Sequence, residues 1–406
     1  MKKEIFLIAF LFLVSHLFSQ VEQHEVTVRN VIVPVRVLDG NKFVDSLTLE
    51  DFELTEDDKP QKIEALYLVQ KKDIRRKETS QEFNPALSRH FYLLFQITEY
   101  NPKLSEAINY FFSNVLLAGD SLTVMTPMDT YNLSQRALST KPKDVISKEL
   151  EGVLRKDTQI GASNYRSLMT DLKRIVASIT TASDADKRAL TGVETDSITS
   201  MFTLDSLLDR YQETMTNLEQ IRVIDEKKFT EFAMKLKNLP GQKNVVFFYQ
   251  REFRPEISQN ILNQLTSLHQ EEPEILSRIQ SLFQLYQRNP SLDSPKVIAS
   301  FADSSLTFNF IFMHKEPEYV SGVNMREQSE DIFNSLSQIA KATGGITDSS
   351  QNPAYAFKNA ADIAESYYLL YYSPADYKKD GKFKAIRVRL KNKNYWVIHR
   401  LGYFAD

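Results

Sequence analysis

The 406-residue chain has few residues that are spaced to do chemistry. No two of its histidines lie close enough in sequence to share one helix face, which a helical zinc motif requires. Cysteine is absent, which excludes disulfides, thiol nucleophiles, iron–sulfur clusters and cysteine-ligated zinc. Neither a Gly-x-Ser-x-Gly nucleophile turn nor a Walker A phosphate loop occurs. The six histidines are His16, His24, His90, His269, His314 and His399.

Paired acids are the remaining candidates for catalysis. Asp57-Asp58 and Glu271-Glu272 could act as acid–base couples, but adjacent acids are typical of a solvated turn or of a helix start. We therefore expect a protein that is not an enzyme. The alternative is an exported hydrolase of envelope polymers, whose acids would come together in one cleft from distant parts of the chain.

Composition narrows the function further. The chain carries 50 Lys+Arg against 53 Asp+Glu, a formal net charge of −3, so no overall positive field attracts nucleic acid. Its 11 glycines are few for this length, which disfavours glycine-rich loops that bind phosphate. The 42% of hydrophobic residues is enough for a substantial core.

The first 20 residues have the pattern of a secretory signal peptide. Lys2 and Lys3 precede an unbroken apolar run at residues 5–14, and a more polar stretch ends at Ser19-Gln20. That run is well short of the roughly 20 residues that span a bilayer, so we expect cleavage rather than a membrane anchor. Because no cysteine follows, a lipoprotein is excluded, and we expect a bacterial protein in the periplasm or outside the cell.

The elements that would position a site fall into three regions. Residues 21–88 alternate apolar and polar positions around turn residues, which predicts an N-terminal β module. Residues 89–375 alternate helices with continuous apolar runs. Such runs are typical of strands buried on both faces, and they predict an α/β fold with a doubly wound, mostly parallel sheet. Residues 376–406 predict a C-terminal β hairpin. The apolar runs are residues 91–95, 122–125, 245–249, 308–313 and 367–372.

A helical insertion is predicted at residues 163–239, within the α/β region. It contains two amphipathic stripes. We expect the second stripe to pack on its own domain, but its spacing of three and four residues also fits a coiled-coil contact with a partner chain. This second stripe consists of Met201, Leu204, Leu208, Tyr211, Met215 and Leu218.

Several short fragments resemble a known family. Residues 47–52 (LTLEDF) and 56–63 (EDDKPQKI) are similar to the opening β segment of bacterial exported proteins with a von Willebrand factor A (VWFA)-related domain, with Asp58 where that pattern has glycine. Residues 239–243 (LPGQK), 340–345 (AKATGG) and 371–374 (YYSP) resemble later parts of the same family, in the same order. The resemblance implies a von Willebrand factor A-like, Rossmann-like domain.

The resemblance also implies a position for a metal-ion-dependent adhesion site, in which carboxylate and hydroxyl oxygens bind a divalent cation. The matching first-strand positions hold Gln96, Thr98 and Tyr100. The matching second-loop threonine falls on Ala162 or Ser163, and the matching acid falls on Gln250, followed by Arg251. Because neutral amides replace both carboxylates, we expect a degenerate site with no metal and no cofactor.

The same loops can instead form a binding surface, because strand carboxyl ends in such a fold face outward. Tyrosine and arginine are favoured at protein interfaces. We therefore expect a non-catalytic protein–protein interaction or adhesion-type module with an unknown protein partner. The predicted partner-binding residues are Gln96, Thr98, Glu99, Tyr100, Asn101, Gln250, Arg251 and Glu252.

Overall fold

The computed structural model describes residues 30–40, 42–79, 83–190, 197–222, 224–286, 292–320, 323–349, 351–391 and 394–406. The predicted signal peptide lies outside the described residues, as do residues 21–29 of the predicted β module. The strands are β1 (Val31–Asp39), β2 (Lys42–Phe43), β3 (Phe52–Glu56), β4 (Lys59–Gln61), β5 (Ile63–Gln70), β6 (Asp73–Thr79), β7 (Arg89–Gln96), β8 (Ser121–Met125), β9 (Thr130–Leu133), β10 (Gln242–Gln250), β11 (Phe253–Ile257), β12 (Leu306–Met313), β13 (Val323–Glu327), β14 (Thr347–Asp348), β15 (Ser366–Tyr372), β16 (Phe383–Leu390), β17 (Trp396–His399) and β18 (Gly402–Phe404). The helices are α1 (Lys103–Tyr110), α2 (Gln135–Thr140), α3 (Lys143–Gly161), α4 (Ser163–Leu190), α5 (Ser197–Arg222), α6 (Glu226–Lys237), α7 (Gln259–Leu268), α8 (Pro273–Tyr286), α9 (Ser294–Asp303), α10 (Glu330–Ala342) and α11 (Pro353–Glu365).

A mixed sheet in the order β14-β12-β10-β7-β8-β9 lies at the centre of the helical part of the chain. Its first five strands are parallel, and β9 is antiparallel to β8. Strands β10 and β12 are almost entirely buried, which explains their continuous apolar sequences. One face packs on α1, α3 and α11, and the other packs on α6, α9 and α10.

The other strands form antiparallel sheets. One follows the order β17-β1-β15-β5-β6, with β2 paired to β1, and a second follows the order β18-β16-β3-β4. These two sheets enclose a shared core that includes Val33, Leu54 and Tyr372. A separate two-stranded ribbon is formed by β11 and β13.

The predicted doubly wound, mostly parallel sheet is therefore wrong as the fold class. Residues 367–372 show why: their continuous apolar run predicts a strand of the parallel sheet, but they form β15, the central strand of an antiparallel sheet. Both faces of β15 are buried, against the shared core on one side and against Tyr67 and Phe83 on the other. Burial on both faces produces the same apolar run whichever way the neighbouring strands point.

In the predicted C-terminal hairpin, the strand at residues 386–390 was expected beside the strand at residues 396–398, but these two strands have different partners. Strand β16 pairs with β3 and β18, whereas β17 pairs with β1 in the other antiparallel sheet. The final segment therefore folds back on itself through β16 and β18, while β17 between them joins the other sheet. The side chain of His399 connects the two sheets, because its Nε2 atom accepts a hydrogen bond from the backbone N–H of Val388 at 3.2 Å.

The region predicted as a helical insertion contains α4, α5 and α6. Helices α4 and α5 pack together and against α7, α8 and the β11–β13 ribbon. This packing covers the stripe that could have met a partner chain, so the coiled-coil contact has no support. Among the described residues, no helix is both long enough and apolar enough to cross a bilayer. The buried stripe residues are Leu204, Leu208, Tyr211, Met215 and Leu218, and the side chain of Met201 lies outside the described part.

Candidate functional site

The residues predicted to bind a partner lie at one edge of the mixed sheet. Strand β7 ends at Gln96 and its parallel neighbour β10 ends at Gln250, so the segments that follow both strands emerge side by side. The side chains of both segments form hydrogen bonds and ion pairs with other residues of the chain.

Gln250 connects the two segments. It is buried, and its side-chain oxygen accepts hydrogen bonds from the backbone N–H groups of Thr98 and Glu99 at 3.0 and 2.9 Å. The same oxygen accepts a third hydrogen bond, from the Thr98 hydroxyl at 3.0 Å. This oxygen is therefore saturated by donors of the chain itself, and Gln250 holds the loop rather than contacting a partner.

The first segment also makes local contacts. The Tyr100 ring lies under the guanidinium of Arg155, 4.8 Å from the ring centroid, and the Asn101 side chain accepts the backbone N–H of Lys103 at 2.9 Å. Lys315 pairs with Glu99 at 2.8 Å. Gln96 and Glu99 are exposed, whereas Thr98, Tyr100 and Asn101 are half-buried.

The second segment is engaged as well. Arg251 forms an ion pair with Glu327 at 3.0 Å and lies over the ring of Phe312. Glu252 is buried and pairs with Arg222, which is also buried at the end of α5. Burial alone would lower the pKa of Arg222, but the Glu252 carboxylate, together with Tyr249 and Glu219, outweighs that effect and the net shift is upward. Arg222 therefore stays charged beside Glu252.

A groove begins at this sheet edge and runs between α6 and the β7–β8–β9 side of the mixed sheet. Its volume is about 690 Å³, within the range of small-ligand and side-chain pockets. We call it the α6 groove. Three of the predicted residues line it, namely Gln96, Thr98 and Glu252. Its apolar lining includes Leu94, Ile97, Met125, Ile221, Ile224, Phe229, Phe232 and Phe247.

Most polar side chains that line the α6 groove either form hydrogen bonds or ion pairs within the chain or are uncharged. Tyr165 lines it near the Arg222–Glu252 pair, and burial, reinforced by the Glu252 charge, raises the pKa of its phenol. That phenol therefore stays protonated at neutral pH. The Asp225 carboxylate accepts the backbone N–H of Lys228 at 3.3 Å and caps α6. Glu231 lies 3.7 Å from Lys227.

Close packing shapes the mouth of the α6 groove. Gly161 ends α3, and a Cβ atom placed on it would lie 2.6 Å from Cβ of Pro127, so only glycine permits this approach. Ala162, one of the two positions matched to the second-loop threonine, follows as the cap of α3, and Ser163 begins α4. Three large apolar side chains near the mouth are exposed: Met128 at 52%, Ile160 at 46% and Ile221 at 41%.

The degenerate metal-site positions do not form an alternative ligand set. Across the described ranges, no group of three or more His, Asp or Glu side chains is arranged to hold a metal ion. The Gln250 oxygen that would face a cation accepts three hydrogen bonds instead.

Sequence reasoning missed the α6 side of the groove. Phe229, Phe232 and Leu236 recur at spacings of three and four residues, so the helix itself could be predicted from its apolar face. What the sequence does not reveal is that Phe229 and Phe232 are only half-buried, because the sheet face opposite them is not fully covered.

Comparisons with known proteins do not support a family. No family model matches the chain, and no curated protein matches it. The crystal structure of the human COPII-coat protein Sec24c matches with a TM-score of 0.31 and 9% sequence identity, covering 79% of this chain and 44% of that one. This chain therefore spans less than half the length of that protein. The predicted resemblance to exported VWFA-related proteins is wrong, and so is the degenerate adhesion site that it implied.

Proposed function

We propose that this protein is a non-catalytic binding protein that recognises a partner protein at the α6 groove. The observation that carries the proposal is the combination of an open apolar groove with exposed apolar residues at its mouth. Ile221 is an exposed residue of the lining, and Met128 and Ile160, next to the lining residues Pro127 and Gly161, extend the apolar surface beyond the groove itself. Apolar patches of this kind on a protein surface are typical of contact sites for other proteins.

The charges in the α6 groove favour binding over hydrolysis. An exported hydrolase would need carboxyl groups free to donate or accept a proton at a bound substrate. Here Glu252 is ion-paired with Arg222, Asp225 caps α6, and Glu231 lies beside Lys227. Each acid that lines the groove thus has a structural partner.

We propose that binding takes place outside the cytoplasm, in the periplasm or the medium of a bacterial cell. The support is the signal-like pattern of residues 1–20 alone: the basic Lys2-Lys3 pair, the short apolar run and the polar end. N-terminal sequencing of the exported protein tests this proposal. A mature chain that begins near Val21 supports it, and a chain that retains Met1 contradicts it.

Site-specific photocrosslinking in the source cells tests the binding function. A benzophenone amino acid replaces Met128 beside the groove or, as the control, Trp396, which is 63% exposed on the antiparallel sheet. We expect a discrete crosslinked partner band for position 128 that is absent for position 396. The added substitution Met125→Glu, inside the groove, should remove that band. Equal bands at both positions, or no band at position 128, would contradict the proposal.

A further inference from the structure

The helix layer on one face of the mixed sheet ends at α6. On that face, α6, α9 and α10 cover β10 and β12, whose residues are buried. The neighbouring β8 differs, because Ser121, Thr123 and Met125 are half-exposed while the alternate residues Leu122 and Val124 are buried on the opposite face. The side of the sheet next to α6 therefore has less cover than the rest of that face.

The α6 groove runs along α6 rather than across it. Five α6 residues line the groove, and four of them lie at relative spacings of zero, three, four and seven, which places those four on one helix face over two turns, with Phe229 beside them. A helix lying beside another packs at about 8–10 Å between axes and contacts such a face along its length. The four residues are Lys228, Glu231, Phe232 and Lys235.

The floor and the flank of the α6 groove have different chemistry. Leu94, Met125 and Phe232 provide an apolar floor that is half-buried. On the flank, Lys228 and Lys235 are exposed two turns apart, and Glu231 between them is half-buried and lies 3.7 Å from Lys227. Lys228 has only a long contact of 3.9 Å with Asp225, whose carboxylate also caps the helix, and Lys235 has no ion pair among the described residues.

We propose that the α6 groove takes an amphipathic helix of the partner protein, with its apolar stripe on Leu94, Met125 and Phe232 and an acidic flank toward Lys228 and Lys235. This inference rests on the proposed function, since it specifies the partner at the same site. The bound helix would extend the helix layer over β8, and its apolar residues would recur at spacings of three, four and seven. Acidic residues on its flank would pair with the two lysines across the helix–helix contact.

Binding of synthetic peptides to the mature protein tests the proposal. Three fluorescein-labelled 14-residue peptides are compared by fluorescence anisotropy. The first has a leucine stripe flanked by glutamate, the second has the same stripe flanked by lysine, and the third is a scrambled version of the first. We expect the first peptide to bind at least about tenfold more tightly than either of the others, a difference of about 1.4 kcal/mol.

A charge reversal then tests the orientation. The double variant Lys228→Glu/Lys235→Glu should reverse the preference, so that the lysine-flanked peptide binds more tightly than the glutamate-flanked one. The control Lys378→Glu/Lys379→Glu has the same net charge, with both changes at exposed positions after β15, and it should keep the wild-type preference.

The outcomes separate this inference from the proposed function. Equal binding of the scrambled peptide, an unchanged preference in the double variant, or no peptide binding overturns the helix proposal. If oleate binds and no peptide does, the groove is an acyl-chain site and the helix proposal fails. A crosslinked partner at position 128 together with any of these results leaves protein binding supported while the helix is rejected.

Discussion

The side-chain oxygen of Gln250 accepts the backbone N–H groups of both Thr98 and Glu99, at 3.0 and 2.9 Å. A buried amide at the end of β10 thereby fixes the loop that follows β7. A carboxylate could accept the same donors, but the neutral amide does so without burying a charge. This loop forms one wall of the α6 groove through Thr98.

Replacing Gln250 with leucine should destabilise the protein, because the N–H groups of Thr98 and Glu99 then lose their acceptor. We expect the free energy of unfolding to fall by about 1–3 kcal/mol, since an unsatisfied donor costs about that much and both N–H groups are partly buried. Urea denaturation measures the change. The control Gln96→Leu, at the exposed end of β7, should change stability by less than about 0.5 kcal/mol. Similar effects of both substitutions would contradict the role given to Gln250.

The buried pair Arg222–Glu252 should show strong coupling. Arg222→Met or Glu252→Leu alone leaves one buried charge without its partner, and each should cost about 3–5 kcal/mol of unfolding free energy. The double variant removes both charges, so it should cost clearly less than the sum of the two single changes. A double-mutant cycle by urea denaturation measures this coupling. Strictly additive effects would show that the two side chains do not depend on each other.

Much of the helical structure could be predicted from the sequence. The stripe from Leu204 to Leu218 is buried because a three-four apolar spacing creates a face that needs cover, although the sequence alone does not say which surface covers it. Here the cover is α4, α7 and α8 of the same chain. The apolar spacing of a helix predicts that one of its faces is buried, whereas the surface that covers this face depends on the rest of the fold.

Strand direction and site geometry could not be predicted in the same way. Tyr368 and Phe248 both lie in continuous apolar runs, yet one strand is antiparallel and the other parallel to its neighbours. The candidate site had the same difficulty. Gln250 and Glu252 were predicted to face a partner because of their position after a strand, but both are buried by contacts with residues distant in sequence. Such contacts leave no local pattern.

Stability should fall in mild acid because of His399. Burial lowers the pKa of this imidazole, and the nearby Arg387 charge lowers it further. A hydrogen bond to the backbone of Arg400 raises the pKa, but the net shift is downward. The neutral ring accepts from Val388 N–H through Nε2 and donates to the Arg400 carbonyl through Nδ1, at 3.2 and 2.8 Å. Protonation replaces the Nε2 acceptor with a donor.

Because the pKa of His399 is lower in the folded protein than in the unfolded chain, the folded state is favoured when the ring is neutral. The contribution of His399 is fully present above the unfolded value of about 6.5, and it is lost as the pH falls toward the lower folded pKa. Urea denaturation at pH 7.5, 6.0 and 5.0 should show this loss, and His399→Gln should show a smaller one. Some loss should remain, because burial also lowers the pKa of His90. Identical pH dependence of the two proteins would contradict the role of His399.

Two glycines of α3 should respond in opposite directions to the same substitution. A Cβ atom at Gly152 meets nothing within 4 Å, so Gly152→Ala should stabilise the helix by up to about 1 kcal/mol. At Gly161 the new atom would lie 2.6 Å from Pro127, so Gly161→Ala should force the wall of the α6 groove apart and cost about 1–3 kcal/mol. Thermal denaturation of the two variants measures both signs. If Gly161→Ala is as stable as Gly152→Ala, the close contact between α3 and the loop after β8 does not exist in solution. A destabilised Gly161→Ala that also loses the crosslink at Met128 would show that this contact shapes the mouth through which the partner binds.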